Sequence, residues 1–363
     1  MFKSLFRDKK LVFLLLLSII IKLFSLNEAW VENYYTYGFY PVISKILRAL
    51  LGWIPFSVGD LVYLFATFFF IVKTWKFLKL LVKRQVQKNF FWMLLRKYIK
   101  LVLVIYLVFN IFWGLNYNRQ GIAQQLGLDV PAYSTQDLVQ LTDILQQRLC
   151  FLGDKVDSIQ RLPLNRNKLL FDEGLAAYSK AESQYPYFKY KFPSIKASLY
   201  TSLGHFFGFT GYYNPFSAEA QLKTTIPVFI KPFVVCHEMA HQLGYAKENE
   251  ANFVSFLVGH NSDNVEFRYS VYWDMYSYAI SELLLRDVNS ARLYMLTAHP
   301  QYQTDTRAYY NYIFESRNVV EPYIARFYDN YLKLNNQPKG KQTYNAVTAW
   351  LIAYMKKNGS QAI

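Results

Sequence analysis

The chain has 363 residues, more than one hydrophobic core usually organises, so at least two parts are expected. A hydrophobic content of 53% is high for a soluble protein, while 18% charged residues is too many for a bundle lying wholly in lipid, which leaves a mixed membrane and water-facing architecture. The formal charge of +15 would suit nucleic acid, but much of the excess lies beside apolar runs in the first hundred residues, where Lys and Arg set membrane orientation and meet anionic lipid, so no nucleic-acid partner is expected.

The first predicted element covers residues 11–29, an apolar run behind Lys3, Arg7, Lys9 and Lys10. No small-x-small cleavage site follows it, so it reads as a retained signal anchor. A second span is expected over 56–73 and a third over 98–114, each near the length a bilayer core requires, with Trp53, Trp75 and Trp113 placed as interfacial anchors. Between them lie Lys76, Lys79, Lys83, Arg84, Lys88, Arg96 and Lys97, with no acid from Asp60 to Asp129, so this loop should stay cytoplasmic. The first loop sets Glu28 and Glu32 against Lys45 and Arg48 and belongs outside. With a basic N-terminus inside, three transmembrane helices make residues 1–116 an anchor and place residues 117–363 on the outer face.

Beyond the anchor the pattern is mainly α, with at most a small sheet. Amphipathic helices are expected over 134–149, 271–285, 307–334 and 343–357, the first opened by Ser134, Thr135 and Asp137. The best strand candidate is LKTTIPVFI at 222–230, following a turn at Asn214 and Pro215. A peptide can pair along such a strand, or the strand can simply pack on the next helix. Cys150 and Cys236 form no CxxC or zinc-finger spacing, and two unbonded buried thiols are favoured over a disulfide.

The chemistry lies in VVCHEMAHQLGYAKENEANFVSFLV at 234–258. His237 and His241, four apart, stack on one helix face at a separation suited to one zinc ion. Glu238 sits beside that face, where a carboxylate can take the proton of an attacking water and pass it to a leaving amine. Gly244 permits a left-handed helix end, after which the chain can return with a third ligand. On a second helix from about Glu248 to Val258, Glu250 shares its face with Phe253, Val254 and Leu257, so it is assigned as the third ligand. Glu248 shares its face with Ala251, Asn252 and Ser255 and is the runner-up, or a partner to a ligating histidine. Lys247 stands where a metzincin would carry its third histidine. His205, His260 and His299 stand alone; Tyr212, Tyr213, His205, Tyr309 and Tyr310 are all candidates for stabilising an oxyanion.

His237-Glu238-x-x-His241, followed by Gly244 and Glu250-Ala251-Asn252, resembles the gluzincin zinc peptidases with a short gap to the third-ligand Glu. Over nearly its whole length the chain also resembles a family of bacterial three-span membrane proteins of unknown function, through IPFSVGD, WGLNYNR, GYYNPFSAEA, CHEMAHQLGYAKENEANF and YDNYLK. The gluzincin resemblance covers only the motif region. It implies a zincin-like domain with Zn2+ held by His237, His241 and Glu250, and Glu238 as base. Together the two imply a zinc metallopeptidase in the bacterial cytoplasmic membrane, with an extracytoplasmic domain acting on peptides or proteins, a cell-wall peptide crosslink being the other amide in reach. The contrasting expectation is a non-catalytic anchored binding or assembly protein whose metal is structural or absent.

Overall fold

In a computed structural model that describes residues 8–83, 90–130, 132–157, 159, 161–340 and 346–363, the first apolar run becomes helix α1 (Lys9–Ser25), started by the Asp8 side chain accepting from the Leu11 N–H. Lys3, Arg7, Arg84 and Lys88 of the orientation argument lie outside the described residues, as do 343–345 and the side chain of His205. A bend of 97° separates α1 from the helical stretch Glu28–Leu51, whose π-helical part Val31–Phe39 leads into α2 (Tyr40–Leu51).

The expectation of three spans is corrected here. Among the described residues, only α3 (Val58–Val82) is by itself both long and apolar enough to cross a membrane. Helix α1 has 17 residues, on the order of 26 Å, and qualifies only jointly with Glu28–Leu51 across their bend. Helix α4 (Phe90–Phe112) fails because Arg96, Lys97 and Lys100 fall in every 18-residue stretch of it. One or two candidate membrane helices therefore remain near the N-terminus, and the count of three crossings no longer supports an orientation.

Ser134 and Asp137 form a reciprocal capping box that starts α5 (Thr135–Gly153), as its sequence suggests. After α6 (Asn167–Gln184) come three short strands, β1 (Ile195–Ala197), β2 (Gly211–Asn214) and β3 (Glu219–Leu222). Their order is β1-β3-β2, with β1 parallel to β3 (Ile195 opposite Ala220) and β2 antiparallel (Asn214 opposite Glu219). The strand expected over 222–230 keeps only its first residue, because the chain turns before Pro227 and Val228–Ile230 winds into a 3-10 turn.

The remaining helices are α7 (Lys231–Gln242), α8 (Glu248–Gly259), α9 (Val265–Arg286), α10 (Val288–Thr297), α11 (Pro300–Ser316), α12 (Glu321–Leu334) and α13 (Val347–Asn358). The stretch 307–334, expected as one helix, is two: Asn318 Oδ1 accepts from the Val320 and Glu321 N–H groups and begins the second. Helices α7 and α8 occupy the centre, packed by α6, α9, α13 and the sheet, with Val235, Met239, Phe253 and Leu257 all fully buried. Each such side chain stabilises the fold by about 1.5–3 kcal/mol.

Segments before residue 117 are joined to this core by buried polar groups. Glu219 on β3 accepts from the Ser57 hydroxyl (3.2 Å) and the Val58 and Gly59 N–H groups (3.2 and 2.7 Å), and pairs with Lys196 at 2.5 Å. Its carboxylate thus sits at the positive end of α3. Gly59 is required there, since a Cβ would fall 2.4 Å from Asn214 Nδ2 and 2.5 Å from Ser217 Oγ. IPFSVGD and GYYNPFSAEA are the two halves of one joint.

Candidate metal centre

Helix α7 carries Pro232 in its first turn and is terminated at Gly244, whose φ of +91° lies in the left-handed region. The Gly244 N–H reaches the His241 carbonyl and the Tyr245 N–H reaches Ala240, a Schellman ending. Tyr40 and Ser44 of α2 donate to the Gln242 carbonyl at 3.0 and 3.3 Å. Arg119, paired with Glu32 at 2.8 Å, donates to the Gly244 carbonyl and lies over the Tyr245 ring. The C-terminal turn that carries His241 is therefore held from two sides, by α2 and by Arg119.

That ending fixes the tautomer of His241. Its Nδ1 lies 2.7 Å from the Tyr245 carbonyl, which can only accept, so the proton is on Nδ1 and Nε2 keeps a lone pair. His237 is set the same way by Asn252 Oδ1, 2.8 Å from its Nδ1. The two Nε2 atoms are 3.1 Å apart and lie 3.2 and 3.7 Å from Glu248 Oε2. The ligand atoms of the three buried residues all fall within 4.8 Å of one another. Three acceptors this close repel unless something positive lies among them. A proton is one solution: burial opposes it, but the hydrogen bond and charge of Glu248 push His241 up to about 9. Burial likewise opposes ionisation of Glu248, yet the bonds from both imidazoles hold it well below the ordinary carboxylate range. A metal ion is the other solution, and two imidazole nitrogens with one carboxylate oxygen are a donor set that fits a divalent cation such as zinc.

Glu248, and not Glu250, is the acid that the structure brings to the histidines. Glu250 is equally buried but points elsewhere: its Oε1 lies 3.8 Å from Lys247, beside Arg119, and so close to Gly121 that a Cβ there would fall 2.0 Å away. The facial argument for Glu250 assumed a helix with one wet side. In fact Ala251, Asn252 and Ser255 are as fully buried as Phe253 and Leu257, so α8 has no solvated face to exclude Glu248.

Glu238 projects toward the start of β2, where a Cβ on Gly211 would lie 2.7 Å from its Oε1. Its Oε2 is buried without a hydrogen-bond partner. Burial pushes this carboxyl up to about 8, against the pull of the His241 charge. Among the expected oxyanion donors, Tyr212 is committed to Asp60 and Ser198, Tyr213 lies 3.1 Å from the Tyr40 hydroxyl, and Tyr309 packs on Trp273. A tyrosine that does reach the centre is Tyr328, which donates to Glu248 Oε1 at 2.7 Å. Sequence reasoning missed it and Asn252; the only signal was that both lie in the stretches YDNYLK and KENEANF. Trp113 closes the other side, edge-on to His241 with ring centroids 6.0 Å apart. Cys150 and Cys236 are both free, the first half-buried and the second buried.

A family described as "Protein of unknown function (DUF3810)" matches residues 35–352. No curated protein and no solved structure matches the chain.

Proposed function

The chain belongs to this family of unknown function, so its chemistry has to be argued from the site, and on that basis we propose a membrane-anchored zinc-dependent hydrolase, acting as a peptidase on peptides or proteins. The observation that carries the reading is the convergence of His237 Nε2, His241 Nε2 and Glu248 Oε2 beside an unpartnered Glu238 carboxylate oxygen. Three protein ligands are the number that catalytic zinc takes while keeping a position for solvent. Zinc held there would polarise a carbonyl and bring the pKa of a water to about 7. Glu238, whose Oε2 is buried without a hydrogen-bond partner, would take a proton from the attacking water and return it to the leaving amine. Gly211 leaves room for that carboxylate and opens the edge strand β2, along which an extended peptide can lie.

Orientation follows from charge on a single span. The sheet end of α3 carries Asp60, while Lys73, Lys76, Lys79 and Lys83 mark its far end, so the basic end stays cytoplasmic and the metal centre faces outward. Depth supports a second reading, a structural ion in a non-catalytic protein, because His237, His241 and Glu248 are only 7, 7 and 4% exposed.

Purified chain should carry about one zinc, and His237→Ala or Glu248→Ala should lower that content. Glu238→Gln should keep the metal and lose hydrolysis of a peptide library. Undiminished turnover in Glu238→Gln overturns the zinc-and-Glu238 mechanism, and retained metal with no hydrolysis even in the unaltered chain transfers the assignment to the structural reading.

A further inference from the structure

Helix α12 is largely apolar on the side turned away from the protein. At about 100° per residue, Tyr323, Phe327 and Leu334 fall on one stripe with the exposed Asn330 among them, and the three apolar side chains are 78, 73 and 85% exposed; Val319, 84% exposed, lies in the bend just before the helix. Leu332 on the opposite side is fully buried. Arg326 and Lys333 are exposed along one margin of the stripe, Lys333 sharing its charge with Asp329 at 2.7 Å. A helix lying against water presents the reverse pattern, so this one calls for an apolar cover.

Its position says which cover. Tyr331 of α12 meets Phe109, near the domain end of α4, with ring centroids 6.3 Å apart. Towards its N-terminus α12 packs on the short turn Gly204–Phe207, and around that turn Leu199, Leu203, Phe206 and Phe207 are 52, 46, 49 and 42% exposed. This segment is tied in turn to the first turn of α3: Asp60 accepts from the Leu199 N–H at 2.7 Å, and the Tyr200 hydroxyl donates to the Asp60 carbonyl at 2.7 Å. The exposed apolar surface is thus a collar around the root of the helix that is long and apolar enough to cross a membrane.

We propose that α12 and residues 199–207 lie in the headgroup and upper acyl region of the bilayer that α3 crosses, with Arg326 and Lys333 toward anionic lipid. The proposal rests on the membrane-anchored reading above and adds to it a second attachment, a helix lying in the membrane surface. The opposite face of that helix carries Tyr328 onto Glu248. A lipid surface accounts for both the placement of the collar around α3 and its basic margin, whereas a second copy of the chain accounts for neither.

The test uses the full chain in phosphatidylcholine and phosphatidylglycerol vesicles, in a Cys150→Ser background, since Cys236 is fully buried. Nitroxide labels are placed at Tyr323→Cys and Phe327→Cys, and at Lys168→Cys, whose native side chain is 92% exposed on α6. The expected result is oxygen collision severalfold above that of a water-soluble nickel chelate at 323 and 327, with the reverse at 168. Dominance of the chelate at 327 overturns the proposal, and so does protection of 327 from both reagents, which would mean a protein cover. A chain that leaves the vesicles on alkaline washing overturns the anchor itself, a failure separate from that of the collar.

Discussion

Asn252 and the Tyr245 carbonyl accept from the Nδ1 of His237 and His241, and so decide which nitrogen of each ring faces Glu248. Asn252→Leu should therefore weaken zinc binding by about 10–100-fold, measured by competition with a chromogenic chelator; unchanged affinity would show that Asn252 does not orient His237. A second titrating residue lies away from the centre. His260 stacks on Phe256, with ring centroids 4.6 Å apart, and burial lowers it from the ordinary 6.5 to about 4. Its folded pKa is depressed, so the unfolded chain takes up the proton first, and the stability present above pH 6.5 is lost as the pH falls toward 4. Partial exposure holds that loss below about 3 kcal/mol. Denaturant midpoints of His260→Phe should lack this acid-dependent decline, and the same slope in both proteins would place the titration elsewhere. At this scale the sequence revealed the two histidines, because four-residue spacing is a local fact about a helix. Glu248 was less legible, since its exposure depends on what packs around α8, and Tyr328 comes from a segment 80 residues further along the chain.

Among the elements, α7 has the most demanding boundary. Gly244 takes a φ of +91°, and a Cβ there would come within 3.1 Å of Tyr40 Cε1 and 3.2 Å of Asn116 Oδ1. Gly244→Ala should cost about 1–3 kcal/mol, read as a lower thermal midpoint, and should reduce zinc affinity as well because the displaced Tyr245 carbonyl is the partner of His241. A stability loss with unaltered zinc affinity would separate the two effects. The helix ending itself was foreseeable from the glycine, as was the start of α5 from Ser134 and Asp137. Apolar length was a poorer guide. It suggested three spans, but Arg96, Lys97 and Lys100 interrupt α4, and the bend after Ser25 leaves α1 short. The expected strand over 222–230 failed for a similar reason: β-branched composition favours extension, but Pro227 and the start of α7 compete for the same residues.

In the whole molecule, the first 116 residues are built into the rest through buried polar contacts. Tyr40 and Ser44 bond the end of α7, Glu32 neutralises buried Arg119, and Ser57, Val58 and Gly59 occupy the carboxylate of Glu219. Expressed alone, residues 117–363 should lose these partners: Arg119 is left without the carboxylate of Glu32, worth roughly 3–5 kcal/mol in lost stability, while Glu219 keeps Lys196 and loses the hydrogen bonds from Ser57, Val58 and Gly59. The fragment should show a lower thermal midpoint or no cooperative transition in calorimetry, and a midpoint equal to that of the full chain would show the contacts to be dispensable. Arg119 also bears on how the protein is made. It joins Glu32, 87 residues earlier, to the Gly244 carbonyl, 125 residues later, so both ends of a long loop must be closed before the last turn of α7 is secured. Loop closure of that kind comes late and slowly in folding. The turn that carries His241 is therefore completed only after segments far apart in the chain have met.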